Sequence, residues 1–419
     1  MLTSACEPIS QQFPIRASAT TQPCDFPDVD LLRSFAGDDN WYMAFEVKLE
    51  KPFAGFVADS ARPGEQMLIQ TSGFRTSSEG EPFIRILEGL TQHVLPTGSI
   101  QPSGVHHFLI VAGPDGKLTI YVNELEIRLK IQSQHSRQAG EPVWLTDIAD
   151  IIEVNIGVDI PTDHGICLLF SVGWRKGLYF DFVPLSPERQ ARAYPIGPVL
   201  GAAWSALMFQ ERFSLTEDQW QWLIDQKMFL FIGLTPQLLQ QIVTHAEKKW
   251  ALGRLNDQVT ACAKAIAPEV EDLAKGSPLF QPAAAALKIG LRHFVDGDAF
   301  SGASVLYPAV EGILRRHYAS RNSVDYPKQA RLIEVAKRAG QTGRHSYCLL
   351  LIERFDAYLR EVIFADFDWK NPAGVSRHTI GHGVIEPDQC DAVSIARVVL
   401  TIQHLLLSLS PPPDAAHSA

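Results

Sequence analysis

His106-His107-Phe108-Leu109-Ile110-Val111, then Gly113-Pro114-Asp115-Gly116, then Lys117-Leu118-Thr119-Ile120-Tyr121-Val122 follow one another with only Ala112 intervening. An apolar run, a cluster of turn residues and a second apolar run read as strand, turn, strand. In the second run Leu118, Ile120 and Val122 fall on one face and Thr119, Tyr121 and Asn123 on the other, the period of two that a strand requires. Outward from this hairpin, short apolar runs between Gly, Pro, Asp and Ser extend over residues 41–185 with no helical spacing among them. The runs 166–174 and 178–183, joined by Arg175-Lys176-Gly177, form a closing hairpin. The expectation is an antiparallel β-sandwich over 41–185, behind an irregular leader at 1–40.

The punctuation changes near residue 185. Ser186-Pro187-Glu188 is a helix-start signature, because proline's missing N–H costs nothing at the first helical position. A helical connector is expected over 186–274. Within it Thr216 and Gln219 form a capping-box pattern, and Thr235-Pro236 opens a long helix carrying Leu238, Leu239, Ile242 and Val243, ended or kinked by Pro268. After the Gly276-Ser277-Pro278 turn, residues 275–410 read as an all-helical domain, with 411–419 as a disordered tail. Its helices are 284–294, 299–320 after the Asp296-Gly297-Asp298 turn, 347–362, and an almost wholly apolar 387–409. A helix apolar all round is buried against others or in an oligomer interface. The expected fold class is therefore multidomain α and β: an antiparallel sandwich followed by a helical bundle.

The chain has 419 residues, 46% hydrophobic and 20% charged, which provides for two or three cored domains. Its 47 acidic and 37 basic residues give a net charge of −10, so any contact with nucleic acid must come from a local basic patch. Six cysteines lie far apart without a CxxC pair, which points to reduced thiols, a cytoplasmic location and no structural zinc. The N-terminus carries no secretory pattern, and the longest apolar stretches are shorter than a membrane span, so no membrane contact is expected.

Chemistry concentrates between the last two helices, in Asn371-Pro372-Ala373-Gly374-Val375-Ser376-Arg377-His378-Thr379-Ile380-Gly381-His382-Gly383. An arginine is a permanent cation with forked donors, and a histidine exchanges protons near neutrality. Upstream, Phe294 to Ser301 supplies an aromatic, a Gly-Asp turn and a small residue, and Tyr307-Pro308-Ala309-Val310-Glu311-Gly312-Ile313-Leu314-Arg315 follows as a Pro-x-x-Glu helix. Together, over residues 280–410, these segments resemble the HEPN family, whose signature is an arginine, a polar residue and a histidine four to six positions after the arginine. The resemblance implies a helical bundle and a metal-independent ribonuclease that attacks with the ribose 2′-OH and leaves a cyclic phosphate, with no cofactor. Arg377, His382 and His378 become the candidate catalytic residues. Arg315, Arg316 and Glu311 are the candidate binding residues, and no metal is expected.

In that scheme His382 moves the proton and Arg377 meets the charge that builds on phosphorus. One such pair per chain is a thin site, so a homodimer through the helical domain is its natural completion. Several structural readings stand beside this one. Arg377 could cap a helix or pair with Glu311, Glu311 could be a buried partner of an arginine, and His382 could be a core histidine. The run Arg315, Arg316, Lys328, Arg331, Lys337, Arg338 and Arg344 could track a phosphate backbone or form a solvated face. The hairpin at 105–129 resembles concanavalin-like and laminin-G-like sandwiches, which implies a sensing or docking module for a glycan or a protein. Three functions follow: an RNA-cleaving effector in bacterial stress or phage defence, a non-catalytic dimerisation or nucleotide- or RNA-binding scaffold, and a carbohydrate-binding regulator.

Overall fold

A computed structural model describes residues 42–48, 57–58, 63–64, 69–77 and 105–410, the last without 124, 139, 174, 187–189, 323–326 and 367–373. The expected leader at 1–40 and tail at 411–419 lie outside the described residues. The chain divides into two compact units: residues 1–126 with 156–195, and residues 127–155 with 196–419.

The first unit carries a six-stranded antiparallel sheet in the order β1-β6-β5-β9-β10-β4. Its strands are β1 Tyr42–Lys48, β4 Ser72–Ser77, β5 Phe108–Ala112, β6 Lys117–Val122, β9 Gly165–Val172 and β10 Arg175–Asp181. Short strands β2 Val57–Ala58 and β3 Ile69–Gln70 pair with each other. The hairpin read from the sequence is β5–β6, with Phe108 opposite Val122 and Ala112 opposite Leu118. Leu118, Ile120 and Val122 are buried, as the alternation requires, whereas every residue of the central β5 is buried. The closing hairpin is β9–β10, with Leu178 opposite Leu169. Below it, Asp181 accepts from Arg192 Nε at 3.0 Å and from the Tyr194 hydroxyl at 2.5 Å, and Arg192 Nη2 donates to the His164 carbonyl at 2.6 Å. This fully buried ion pair ties Arg192 to the end of β10.

The remaining strands, β7 Arg128–Ser133 and β8 Ile148–Asn155, pair only with each other. The sequence reading set residues 127–155 inside one unbroken sandwich block, but they belong to the compact unit that holds the helices. Burial explains the difference. Ile148, Ala149, Ile151 and Ile152 are buried, and α1 Ile196–Met208 packs directly on β8, where a Cβ on Gly201 would meet the Ile152 carbonyl at 2.9 Å. An apolar run shows that a strand is buried but says nothing about what covers it.

The helices of the second unit follow: α2 Gln210–Phe213, α3 Glu217–Asp225, α4 Pro236–Lys248, α5 Asn256–Gly276, α6 Gln281–Asp296, α7 Ala299–Ala319, α8 Gln329–Gln341, α9 Ile352–Tyr358, α10 Arg377–Gly381 and α11 Ala392–Leu409. A π-helical turn, Leu359–Ile363, extends α9. Thr216 and Gln219 form the capping box of α3, Thr235 caps α4, and Gly297 at φ +89° ends α6 in the left-handed region that glycine tolerates.

One expectation is corrected, one falls largely outside the described residues, and one helix was not expected. The long helix from Thr235 stops at Lys249, whose φ of +53° breaks it, and Pro268 lies inside the next helix, α5. The helix start at Ser186 is not realised in the described residues. Pro187 and Glu188 fall outside them, and the first helix after β10 begins at Ile196. Finally, α8 had no counterpart in the sequence reading.

The centre of this unit is α11, packed by α5, α6, α7 and α8. By length and composition it could cross a membrane, yet 83% of it is buried inside the protein. Its polar residues are buried too. His404 Nε2 donates to the Leu350 carbonyl at 2.7 Å, and its ring packs 4.3 Å from Phe355. Burial, aided by the charges of Arg212 and Arg344, holds His404 down to about 3 against the Leu350 hydrogen bond. Burial likewise holds His317 down to about 4, with the Arg321 charge adding to it. The unfolded chain binds protons at these histidines near pH 6.5 while the folded chain does not, so this stability is full above pH 6.5 and is lost on acidification. The urea midpoint is expected to fall between pH 7 and 5, reflecting a loss of unfolding free energy of up to about 1.4 kcal/mol per pH unit for each histidine. A midpoint unchanged over that interval would contradict the assignment.

Candidate functional site

α10 is a single turn built by its own capping. The Thr379 hydroxyl accepts from Ser376 N at 2.8 Å, and Ser376 Oγ accepts from Thr379 N at 3.3 Å. Ser376 and Thr379 are both buried, which anchors the turn, while His382 at its C-terminal end is exposed. At 100° per residue, Arg377 and His382 are about 140° apart around the axis, whereas His378 and His382 share a face. The imidazoles of His378 and His382 accordingly lie parallel, with centroids 6.2 Å apart.

Arg377 turns toward α7, where its Nε pairs with the Glu311 carboxylate. The other oxygen of Glu311 accepts from Arg315, at 2.8 Å from Nε and 2.7 Å from Nη2. Glu311 is only 6% exposed, so the buried carboxylate of the structural reading is the one observed. Two guanidinium groups nonetheless share one carboxylate, which leaves one unit of positive charge on the cluster. Arg316 lies back over Gly312 of its own helix, its Nε buried without a hydrogen-bond acceptor. The Arg377 side chain retains 26% exposure, so an anion can reach it.

His378 Nε2 is 2.9 Å from Gln329 Oε1 at the start of α8. With that oxygen as acceptor the proton sits on Nε2, which makes Nδ1 the basic nitrogen. Burial and then the Arg377 charge lower the His378 pKa, against the pull of Asp366, so the ring is neutral at pH 7.

Gly381 carries a requirement that the sequence did not reveal. A Cβ there would approach Arg377 Nη1 to 2.6 Å. Gly381→Ala is expected to push the guanidinium off its seat while leaving the buried Ser376–Thr379 anchor intact, with a stability loss below about 1 kcal/mol. If the reading proposed below holds, RNA cleavage falls in this variant although Arg377 and His382 are both present. Unchanged cleavage would show that the observed seat of Arg377 is irrelevant to activity.

The structure brings Arg377, Arg315 and Glu311 into direct contact and sets His378 and His382 on the adjoining face. Several members of the wider basic run are paired with carboxylates. Arg331 and Arg338 pair with Glu334, Lys337 pairs with Glu353, and Arg344 is buried beside Asp150. Gln329 and Asp366 were not singled out from the sequence, since each reaches the site from a different segment and neither carries a motif. Among the described residues no group of three or more His, Cys, Asp or Glu could hold a metal ion. Compared with known proteins, the chain matches no family model, no curated protein and no solved structure.

Proposed function

We propose that this protein is a cytoplasmic, HEPN-type RNA-cleaving effector that works without a metal as a homodimer of its helical unit, in bacterial stress or phage defence. In this reading the sheet-bearing unit, taken as a concanavalin-like sandwich, senses or docks a glycan or a protein. The observation that carries it is the α10 turn: an accessible guanidinium in a cluster of net positive charge, a neutral His378, and an exposed His382 one turn away. A 2′-OH attack on phosphorus needs a base near neutrality, an acid for the leaving oxygen and a cation at the phosphoryl oxygens. His378 or His382 serves as the base or acid and Arg377 as the cation. The 140° between Arg377 and His382 favours completion by a second protomer.

A second reading, a non-catalytic RNA-binding or dimerisation scaffold, is favoured by the ion pair that ties Arg377 to Glu311. Incubation of the purified protein with total RNA in EDTA separates the two. Cleavage that depends on Arg377 and His382 supports the effector. Intact RNA, or equal cleavage by wild type and the Arg377→Ala and His382→Ala variants, would leave only the scaffold.

A further inference from the structure

We infer that Trp250, with Lys248, Lys249 and Arg254 around it, is a binding site for single-stranded nucleic acid on the helical unit, the indole stacking on a base and the cations meeting the phosphates beside it. Trp250 is 56% exposed, in the loop between α4 and the 3-10 turn Leu252–Leu255. A loose tryptophan would lose entropy on being ordered by a ligand. Here the loop is held on both sides. The Trp250 N–H donates to the His245 carbonyl at 2.9 Å, and Lys249, at φ +53°, makes the reversal between them. A carbonyl can only accept, so His245 Nδ1 is the donor to the carbonyls of Trp250 at 3.3 Å and Ala251 at 3.1 Å. The imidazole stands at 88° to the indole with centroids 5.7 Å apart.

The cations beside it are not neutralised. Lys248, Lys249 and Arg254 are all exposed, and among the described residues no carboxylate forms an ion pair with any of them. From Lys248 to Arg254 the chain carries these three positive side chains and no acidic one. Glu247 and Asp257 stand outside that stretch, on α4 and α5, and pair with none of the three. Successive Cα atoms are about 3.8 Å apart, so Lys248 lies within about 8 Å of Trp250 along the backbone and Arg254 within about 15 Å. One short stretch of strand can therefore meet the ring and all three charges. On a chain of net charge −10 this is the local basic patch that a nucleic-acid contact requires.

Every base has a π face, and single strands leave that face uncovered where duplexes do not. A lipid surface fits the patch less well, because a segment lying in a membrane needs an apolar face several residues wide. Within residues 245–257 Trp250 is the one large apolar side chain exposed. Leu252 and Leu255 are buried in the core, and Ala251 and Gly253 offer no bulk.

The inference goes beyond the nuclease reading and does not depend on it, since none of these residues belongs to the Arg377 cluster. Full-length protein is titrated with a labelled oligouridine of about 12 nucleotides, within the usual site size for single-strand binders, and binding is read by fluorescence anisotropy. Its 2′-oxygens are methylated, so binding is measured whether or not the protein cuts RNA. Saturable binding is expected, weakened about tenfold or more in Trp250→Leu and largely kept in Trp250→Phe. Lys248→Gln with Lys249→Gln should lower the slope of log affinity against log salt by about 0.7 per lysine. A deoxyribose oligonucleotide of the same length separates the sources: weaker binding identifies RNA as the ligand, and equal binding a site indifferent to the sugar. No binding by wild type, equal affinity in wild type and Trp250→Leu, or an unchanged salt slope in the lysine variant would overturn the site. So would Trp250-dependent sedimentation with anionic phospholipid vesicles in a protein that ignores the oligonucleotide. All the replaced side chains are exposed, so the variants should keep the wild-type thermal midpoint.

Discussion

His382→Ala is expected to lower RNA cleavage by roughly 10²–10⁴-fold, the usual contribution of a positioned general acid or base, with folding stability unchanged to within about 0.5 kcal/mol. The combination is informative because His382 is exposed at the end of its turn. A structural histidine would behave in the opposite way, with stability falling and any activity following it. Arg377→Ala is expected to produce a loss of roughly 10²–10³-fold, as for removal of a donor to a developing oxyanion. Its stability cost should stay near 1 kcal/mol, because Arg315 continues to satisfy Glu311. Arg377→Lys preserves the charge but not the fork that faces Glu311, and should recover only part of the activity. Cleavage rates in EDTA set beside urea midpoints for the same samples would decide the matter. Losses of activity no larger than the losses of folded protein would rule out chemistry at this turn.

Arg344→Ala is expected to be the most destabilising single substitution in the helical unit, at about 3–5 kcal/mol, or a thermal midpoint lower by roughly 10 °C. The side chain is 1% exposed and joins three segments distant in sequence. Nη1 donates to the Gly340 carbonyl at 2.8 Å and the Ser408 carbonyl at 3.2 Å, and Nη2 donates to Gln132 Oε1 at 3.0 Å and the Leu407 carbonyl at 3.2 Å. Its Nε lies 3.4 Å from the carboxylate of Asp150 on β8. Burial pushes the Asp150 carboxyl up, against the hydrogen bonds from Leu349 N and Cys348 and the charges of His345 and Arg344.

Without the arginine, the last carbonyls of α11 lose a donor and the buried Asp150 carboxylate loses a counter-charge. An unpaired buried charge costs more than a pair is worth, so Asp150→Ala combined with Arg344→Met should cost clearly less than the sum of the two single changes. An additive result, or a loss below about 1 kcal/mol for Arg344→Ala, would show that this cluster does not fasten the β7–β8 hairpin to the helices.

Local signals carried a large part of this architecture. The alternation of Leu118, Ile120 and Val122, the box at Thr216 and Gln219, the Thr235-Pro236 start and the Asp296-Gly297-Asp298 turn each depend on interactions within a few residues, and each element stands where those residues place it. The one-turn helix at 377–381 also follows from local chemistry, because Ser376 and Thr379 satisfy each other's backbone groups.

Long-range contact decided the rest. The short apolar runs that read as strands are silent on whether a sheet or α1 covers β7 and β8, and the answer lay in residues roughly fifty positions later. Arg344 read as one more member of a basic run, and only its enclosure among Gln132, Asp150 and the end of α11 separates it from solvated neighbours such as Arg338. Arg377 paired with a carboxylate sixty-six residues upstream, a choice that rests on how α7 and α10 meet and that leaves no trace in spacing. Hydrogen bonds and alternation within a segment are written in neighbouring residues; the pairing of a charge with its counter-charge is settled only when the chain closes on itself, since burial determines which charges must find a partner at all.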